Sequence, residues 1–223
     1  MTARVIAIDG PAASGKSSTA AAVARELGAS HLDSGALYRG LTLIALELGH
    51  DDPTEIRSAA ERRGLILRHD GAEIVPFLDG RPAENLIRSD GVTAAVSRIA
   101  ALAPLREWVN ARLREAATAE RILVLDGRDI GTAVFPDASL KVFLTATPEA
   151  RARRRLAQRG EMFDSDSIRV EATALAARDA SDASRTVAPL RRAPDAILID
   201  TTNLSFKDQV DRIVAAARKA LLA

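Results

Sequence analysis

Four short runs of apolar, largely β-branched residues punctuate the chain: Val5–Ile8, Ile122–Leu125, Val142–Leu144 and Ile197–Ile199. Strands of a parallel sheet covered on both faces read this way, because neither face has to be polar. Ser30–Asp33 carries a weaker pattern of the same kind. Between these runs the period lengthens. Lys16–Leu27, filled with alanine, predicts a helix. The plainest helix is the last one: Val210, Ile213, Val214, Ala217 and Leu221 fall on one stripe, and Ser205 with Asp208 forms a capping box. Strands alternating with helices, joined by right-handed crossovers, predict a doubly wound parallel α/β sheet of about five strands.

One stretch breaks this rhythm. "LILRHDGAEIVPFLDGRPAENLIR", residues 65–88, contains Asp70-Gly71 and Asp79-Gly80 between strand-like runs. Both pairs are hairpin-turn signals. A small antiparallel β insert over roughly residues 62–90 is expected, within a single domain spanning 1–223. There are no internal repeats or low-complexity tracts.

Composition narrows the class. The 223 residues suffice for one sizeable domain, and 47% hydrophobic with 27% charged residues fits a soluble globular protein. A net charge of +1 offers no bulk field for nucleic acid or an anionic membrane. With no cysteine there is no disulfide framework and no thiolate chemistry. The first apolar run is too short for a signal peptide and no stretch nears a membrane span, so a cytoplasmic address is expected. His31, His50 and His69 are scattered, in no ligand spacing, and are read as ordinary residues.

The strongest local signal follows the first strand. Gly10-Pro11-Ala12-Ala13-Ser14-Gly15-Lys16-Ser17 matches G-x-x-x-x-G-K-[ST] in the required setting, after a strand and opening a helix. Small residues let backbone N–H groups converge on phosphate oxygens, and the helix start adds unpaired N–H groups. Lys16 can reach the β- and γ-phosphates, and the Ser17 hydroxyl can ligate Mg²⁺; Ser18 follows in the same turn. The loop fixes a nucleoside triphosphate but not the reaction. No guanine-reading Asn-Lys-x-Asp is present, since Asn203 in "TTNLSFKD" has no lysine beside it. A small kinase for a small acceptor fits the length.

"LDSGALYR" (Leu32–Arg39), "DGRDIGTAVFPDA" (Asp126–Ala138) and "RDASDASRTVAPL" (Arg178–Leu190) choose the acceptor. With the phosphate loop they resemble the signatures of the bacterial cytidylate kinase family, in order and spacing along almost the whole chain. Ala13 departs mildly, standing where many members of that family have Gly. The resemblance implies an ATP-dependent kinase of CMP and dCMP whose enlarged nucleoside-monophosphate-binding part contains the β insert. It implies that Arg39 and Arg128 grip the acceptor phosphate, that Ser34, Asp129, Arg106 and Arg185 face the base, and that Ser97, Arg178 and Asp182 face the sugar.

The residue chemistry is compatible with these roles. Guanidinium forks suit phosphate oxygens. Cytosine offers an amino donor with acceptors beside it, so its site wants both acceptors and donors. The strand ending at Leu125 delivers Asp126 and Asp129 to the carboxyl edge of the sheet, where ligands of open α/β folds bind. Asp126 could hold Mg²⁺ through water or could simply pair with Arg128. Arg178, Asp182 and Arg185, spaced by 4 and 3, would share a helical face. The run Arg151-Ala152-Arg153-Arg154-Arg155 could be a solvated patch, but no aromatics interleave it as in a nucleic-acid site. The family points instead to a lid, about residues 148–180, carrying Arg151, Arg154 and Arg155 to the transferring phosphoryl, with Arg153 exposed. A monomer is expected. The rival readings are another small P-loop kinase, for a different monophosphate or a shikimate-like acceptor, and a non-catalytic nucleotide-binding switch.

Overall fold

The computed structural model describes residues 4–118, 121–162 and 164–222. The chain begins with β1 (Arg4–Asp9), α1 (Lys16–Leu27), β2 (Ser30–Asp33), α2 (Gly35–Leu48) and α3 (Pro53–Arg62). Three short strands follow, β3 (Ile66–Asp70), β4 (Glu73–Leu78) and β5 (Arg81–Pro82). A 3-10 turn (Leu86–Arg88) leads into α4 (Asp90–Ile99) and α5 (Ala103–Thr118). The remainder is β6 (Ile122–Gly127), a π-helical turn (Ile130–Val134), β7 (Leu140–Thr145), α6 (Pro148–Gln158), α7 (Ser165–Ala183), β8 (Ile197–Asp200) and α8 (Phe206–Leu222).

The sheet order is β3-β4-β2-β6-β1-β7-β8, with β5 paired to β4. The five strands β2, β6, β1, β7 and β8 are mutually parallel. They are the five runs expected from the apolar pattern. One expectation fails: β8 is not buried on both faces. It lies at the end of the sheet, and Ile197 and Leu198 are exposed. An apolar run does not reveal that its strand has only one neighbour.

The insert is antiparallel as expected. At the β4–β5 turn Asp79 and Gly80 have φ of 52° and 76°, and Leu78 pairs with Arg81 across them. Two successive positive φ values are what a two-residue type I′ hairpin demands. The insert is nevertheless continuous with the main sheet, because β4 pairs in parallel with β2 through His31↔Glu73 and Leu32↔Ile74.

Each sheet face has its own core. Ile6, Ile8, Val124, Val142 and Leu144 pack under α1 and α8, where Val210, Ile213, Val214 and Ala217 supply the expected stripe. Val5, Ala7, Leu32, Leu123 and Leu125 pack against α2, α3 and α5. Each fully buried side chain of this size stabilises the fold by roughly 1.5–3 kcal/mol. At the start of α8 the Asp208 N–H donates to Ser205 Oγ at 3.1 Å, while the Ser205 hydroxyl donates to the Asp208 carboxylate at 2.7 Å. The two covered faces leave the carboxyl ends of the parallel strands as the open edge.

Candidate active site

The phosphate loop leaves β1 through Gly10, where a side chain could not fit: a Cβ would lie 2.3 Å from the carbonyl oxygen of Leu144. Ala13 and Gly15 both take left-handed conformations, φ 56° and 85°. The left-handed Ala13 is strained for an L-residue, a conformation glycine would take without that cost. The loop is braced from outside. Asp179 of α7 accepts the Ala12 N–H at 2.8 Å, and Arg151 of α6 donates to the Ala12 carbonyl at 3.1 Å and pairs with the Asp179 carboxylate. Lys16 is buried, with Nζ 3.2 Å from the Pro11 carbonyl. Burial, reinforced by Arg128 and opposed by Asp126 and Asp33, draws its ammonium pKa down to about 7. A ligand phosphate would supply the negative charge that this lysine lacks.

Beneath the loop, Ser17 donates to Asp126 Oδ2 at 2.5 Å and His31 Nε2 lies 3.0 Å from Asp126 Oδ1. Burial alone would raise the Asp126 pKa; the His31 hydrogen bond and charge, with Lys16 and Ser17, hold it below the usual carboxylate range. Asp33, in register with Asp126 on the neighbouring strand, is pushed upward by burial and by Asp126 itself. Among the described residues no group of three or more His, Cys, Asp or Glu side chains could cage a metal ion. A hard cation that keeps water and phosphate ligands needs only one or two protein carboxylates, so the Ser17–Asp126 oxygen pair fits Mg²⁺.

The loop opens into a cleft of about 610 Å³. Its far wall is assembled from separate elements. Ser34 sits at the turn from β2 to α2, and its hydroxyl donates to the Asp126 carbonyl at 2.7 Å. That proton being committed, the oxygen faces the cleft as an acceptor. Asp129 follows β6 and is buried; its Oδ2 accepts from Arg106 at 2.5 Å, which leaves Oδ1 open to a ligand donor. Arg106 is fully buried, donates also to the Ala100 carbonyl at 2.9 Å, and lies 5.2 Å from the centre of the Tyr38 ring. Asp182 on α7 bridges Arg128, at 3.1 Å, and Arg185. Arg39 is held by Thr93 at 2.9 Å. Arg178 carries the greatest strain of charge: burial, with Arg128, Arg39 and Arg155 adding and only Asp182 opposing, lowers its pKa to about 10. The Nε atoms of Arg106, Arg178 and Arg185 and the Tyr38 hydroxyl are buried without a hydrogen-bond partner among the described residues. Ser14, Asn110, Thr132 and Arg151 carry such atoms away from the cleft, so it is the arginine-rich lining itself that suits an anionic ligand.

The cleft thus pairs a triphosphate loop with an arginine-rich second anion site lined by carboxylate and hydroxyl acceptors. A sequence profile of the family described as cytidylate kinase matches residues 6–219. The chain belongs to the cytidylate kinase family. A cytidylate kinase of Streptomyces griseus is 44% identical over 213 residues, covering 94% of this chain and 90% of that one. One of Geobacillus sp. is 44% identical over 214 residues, covering 94% of each. A Thermus thermophilus crystal structure superposes with a TM-score of 0.50 at 17% identity, covering 99% of each chain, and speaks to the fold alone.

Within this cytidylate kinase fold the structure brings together Ser34, Arg39, Ser97, Arg106, Arg128, Asp129, Arg178, Asp182 and Arg185, all lining one cleft with Lys16, Ser17 and Ser18. Arg178 and Asp182 share a face of α7; the helix ends at Ala183, yet Arg185 still reaches the Asp182 carboxylate. Two expectations need correction. Asp126 does not pair with Arg128, which is held by Asp182 instead. Arg151 does not line the cleft but is buried behind the phosphate loop, because the first turn of α6 packs there. Arg154 and Arg155 do line it, with Arg153 exposed, although Arg154 is tied to Thr201 by its Oγ1 at 2.9 Å and its carbonyl at 2.5 Å. His31, read as an ordinary residue, lies buried with its Nε2 against Asp126. Sequence reasoning also passed over Asp9, whose buried carboxylate accepts the N–H groups of Ile130 and Gly131 at 2.9 and 2.8 Å. Asp9 follows the apolar run of β1 directly, and a carboxylate placed there was the available signal. Arg88, which lines the cleft beside Asp33, had none.

Proposed function

We propose that this protein transfers the γ-phosphoryl group of ATP to CMP or dCMP, giving CDP or dCDP. The observation that carries the reading is that one cleft joins a braced triphosphate loop to the Asp129–Arg106 and Asp182–Arg128–Arg185 clusters. Across the loop from Gly10 to Ser18, Lys16 and the backbone N–H groups other than that of Ala12, which Asp179 holds, bind the donor phosphates; Pro11 has no N–H to give. Arg39 and Arg128 hold the acceptor phosphate, close to the positive field centred on Arg178. The acceptor oxygen is already ionised, so no strong general base is needed, and the rate rests on positioning and charge neutralisation. Arg155, with Arg154 beside it, faces the cleft and supports a lid role for α6 and the start of α7, within an approximate lid of residues 148–180 in which residue 163 lies outside the described residues. Ser17, and Asp126 through water, would hold Mg²⁺, which would supply charge neutralisation on the donor phosphates.

Base choice follows from proton bookkeeping. Ser34 Oγ and Asp129 Oδ1 are acceptors suited to the cytosine amino group, while Arg106 and Arg185 supply donors for its acceptor edge. Uracil would set O4 lone pairs against a buried carboxylate. Ser97 and Arg178 with Asp182 remain for the sugar. The acceptor is a small molecule, the protein acts as a monomer, and neither nucleic acid nor a membrane is engaged; no described helix is long and apolar enough to cross a membrane. A coupled assay with ATP, Mg²⁺ and CMP, dCMP, UMP, AMP or shikimate tests this. CMP and dCMP should far exceed the others. Equal kcat/KM for CMP and UMP would remove the cytosine reading, and nucleotide binding without transfer would leave only a switch.

A further inference from the structure

Alternate residues of a strand share a face, so His31 and Asp33 of β2 point to the side covered by α1. On that side β2 runs in register with β6, His31 beside Val124 and Asp33 beside Asp126. Val124 belongs to the apolar core with Ile6, Ile8 and Val23. A valine or leucine would suit position 31 by pattern. An imidazole stands there instead, buried, one step below the Asp126 carboxylate. Its Nε2 lies 3.0 Å from Asp126 Oδ1, and since an ionised carboxylate only accepts, Nε2 must carry the proton. Asp126 Oδ2 takes the Ser17 hydroxyl at 2.5 Å. His31 itself does not line the cleft, so any effect on transfer must pass through Asp126.

We propose that His31 is a positioning residue for phosphoryl transfer: its Nε2–H pins Oδ1 of Asp126 and thereby fixes Oδ2 toward Ser17 and the cation carried by the donor phosphates. The terminal torsion of a carboxylate is soft, so without this bond the group could turn away from Ser17. Partners of this kind, one step removed from a metal, set the orientation of the groups that touch it. The proposal rests on the reading of Ser17 and Asp126 as the cation-holding pair.

The test compares His31→Leu, which removes the donor, with His31→Gln, which keeps an N–H donor. Binding of Mn²⁺ together with a non-hydrolysable ATP analogue is read by electron paramagnetic resonance, beside kcat and the KM for CMP. His31→Leu should weaken Mn²⁺ binding and lower kcat, each by about 10–100-fold, with the KM for CMP within about twofold. His31→Gln should restore most of both. A folded His31→Leu protein with wild-type Mn²⁺ affinity and kcat would overturn the proposal. So would a loss that falls equally on the KM for CMP and is not rescued by Gln, since that is the mark of a merely structural histidine. Should His31→Leu fail to fold, the ¹⁵N resonance of Nε2 in the wild-type protein decides. It should be protonated and shift when Mg²⁺ joins the bound analogue, and indifference to Mg²⁺ overturns the role. A wild-type protein that turns over ATP and CMP but shows no joint binding of Mn²⁺ and nucleotide would strike the cation-pair reading first and this proposal with it.

Discussion

The donor loop and the acceptor wall face each other across one cleft, yet they are built on opposite plans. The donor side is contiguous in sequence and works through backbone groups held by a strained turn. The acceptor side draws side chains from the starts of α2 and α5, from α4, the end of β6 and the end of α7. Phosphate oxygens are alike, so converging N–H groups suffice for them. A base must be told from its relatives, which requires donors and acceptors in a fixed order. The acceptor side sets that order in advance by pairing three of its arginines with carboxylates: Arg106 with Asp129, Arg128 and Arg185 with Asp182.

The comparison breaks most readily at Lys16. Lys16→Ala removes the one charged side chain of the donor loop and should lower kcat by about 10²–10³, or roughly 3–4 kcal/mol, while leaving the melting temperature near wild type. A folded variant with near wild-type turnover would end the division of labour.

Asp9 joins the two sides, and its pKa is raised to about 6, burial outweighing its bonds to Gly131 and Ile130. A carboxyl whose folded pKa is raised favours the fold below its unfolded value, and this contribution is lost as pH rises through the folded value. Measured against Asp9→Asn, which cannot titrate, wild-type unfolding free energy should therefore fall between about pH 4 and 6.5 by up to roughly 3 kcal/mol. A difference that stays flat across this window would mean that the carboxyl is not buried as described.

Asp129→Asn probes the acceptor side alone. An amide can turn its NH₂ toward O4 of uracil, so the preference for CMP over UMP should narrow by about 1–3 kcal/mol. An unchanged ratio of kcat/KM would take Asp129 out of base reading without touching the donor side. The smallest effect belongs to Ala13. Glycine relieves a left-handed conformation that costs an L-residue about 1–2 kcal/mol, and gives back about 0.4–1 through the unfolded chain. Ala13→Gly should thus hold or slightly raise the melting temperature with the KM for ATP unchanged, and a clear loss would show that the turn is not strained.

The two plans also differ in how far the sequence discloses them. The donor loop is a local pattern between a strand and a helix, and it was legible residue by residue. The five parallel strands were legible because burial on both faces leaves unbroken apolar runs, although the open edge at β8 was not. On the acceptor side the spacing of 3 set Arg185 beside Asp182, but Arg39 and Arg106 could be placed only through resemblance to a known family, because nothing in local spacing says which side chains will meet across the cleft. His31 was invisible for the same reason: its partner stands 95 residues away. Arg151 and Arg155 share a helix face by spacing, yet the first is walled in by the phosphate loop and the second faces the cleft. Only the packing of α6 separates them.

Asp9 ends the strand that launches the phosphate loop, and it grips the turn that begins after Asp129. One side chain therefore acts as a gauge block between the origin of the donor site and the origin of the base site. In-line transfer tolerates little error in the gap between two bound nucleotides. Here that gap is referenced to the ends of two paired sheet strands, through a single buried carboxylate.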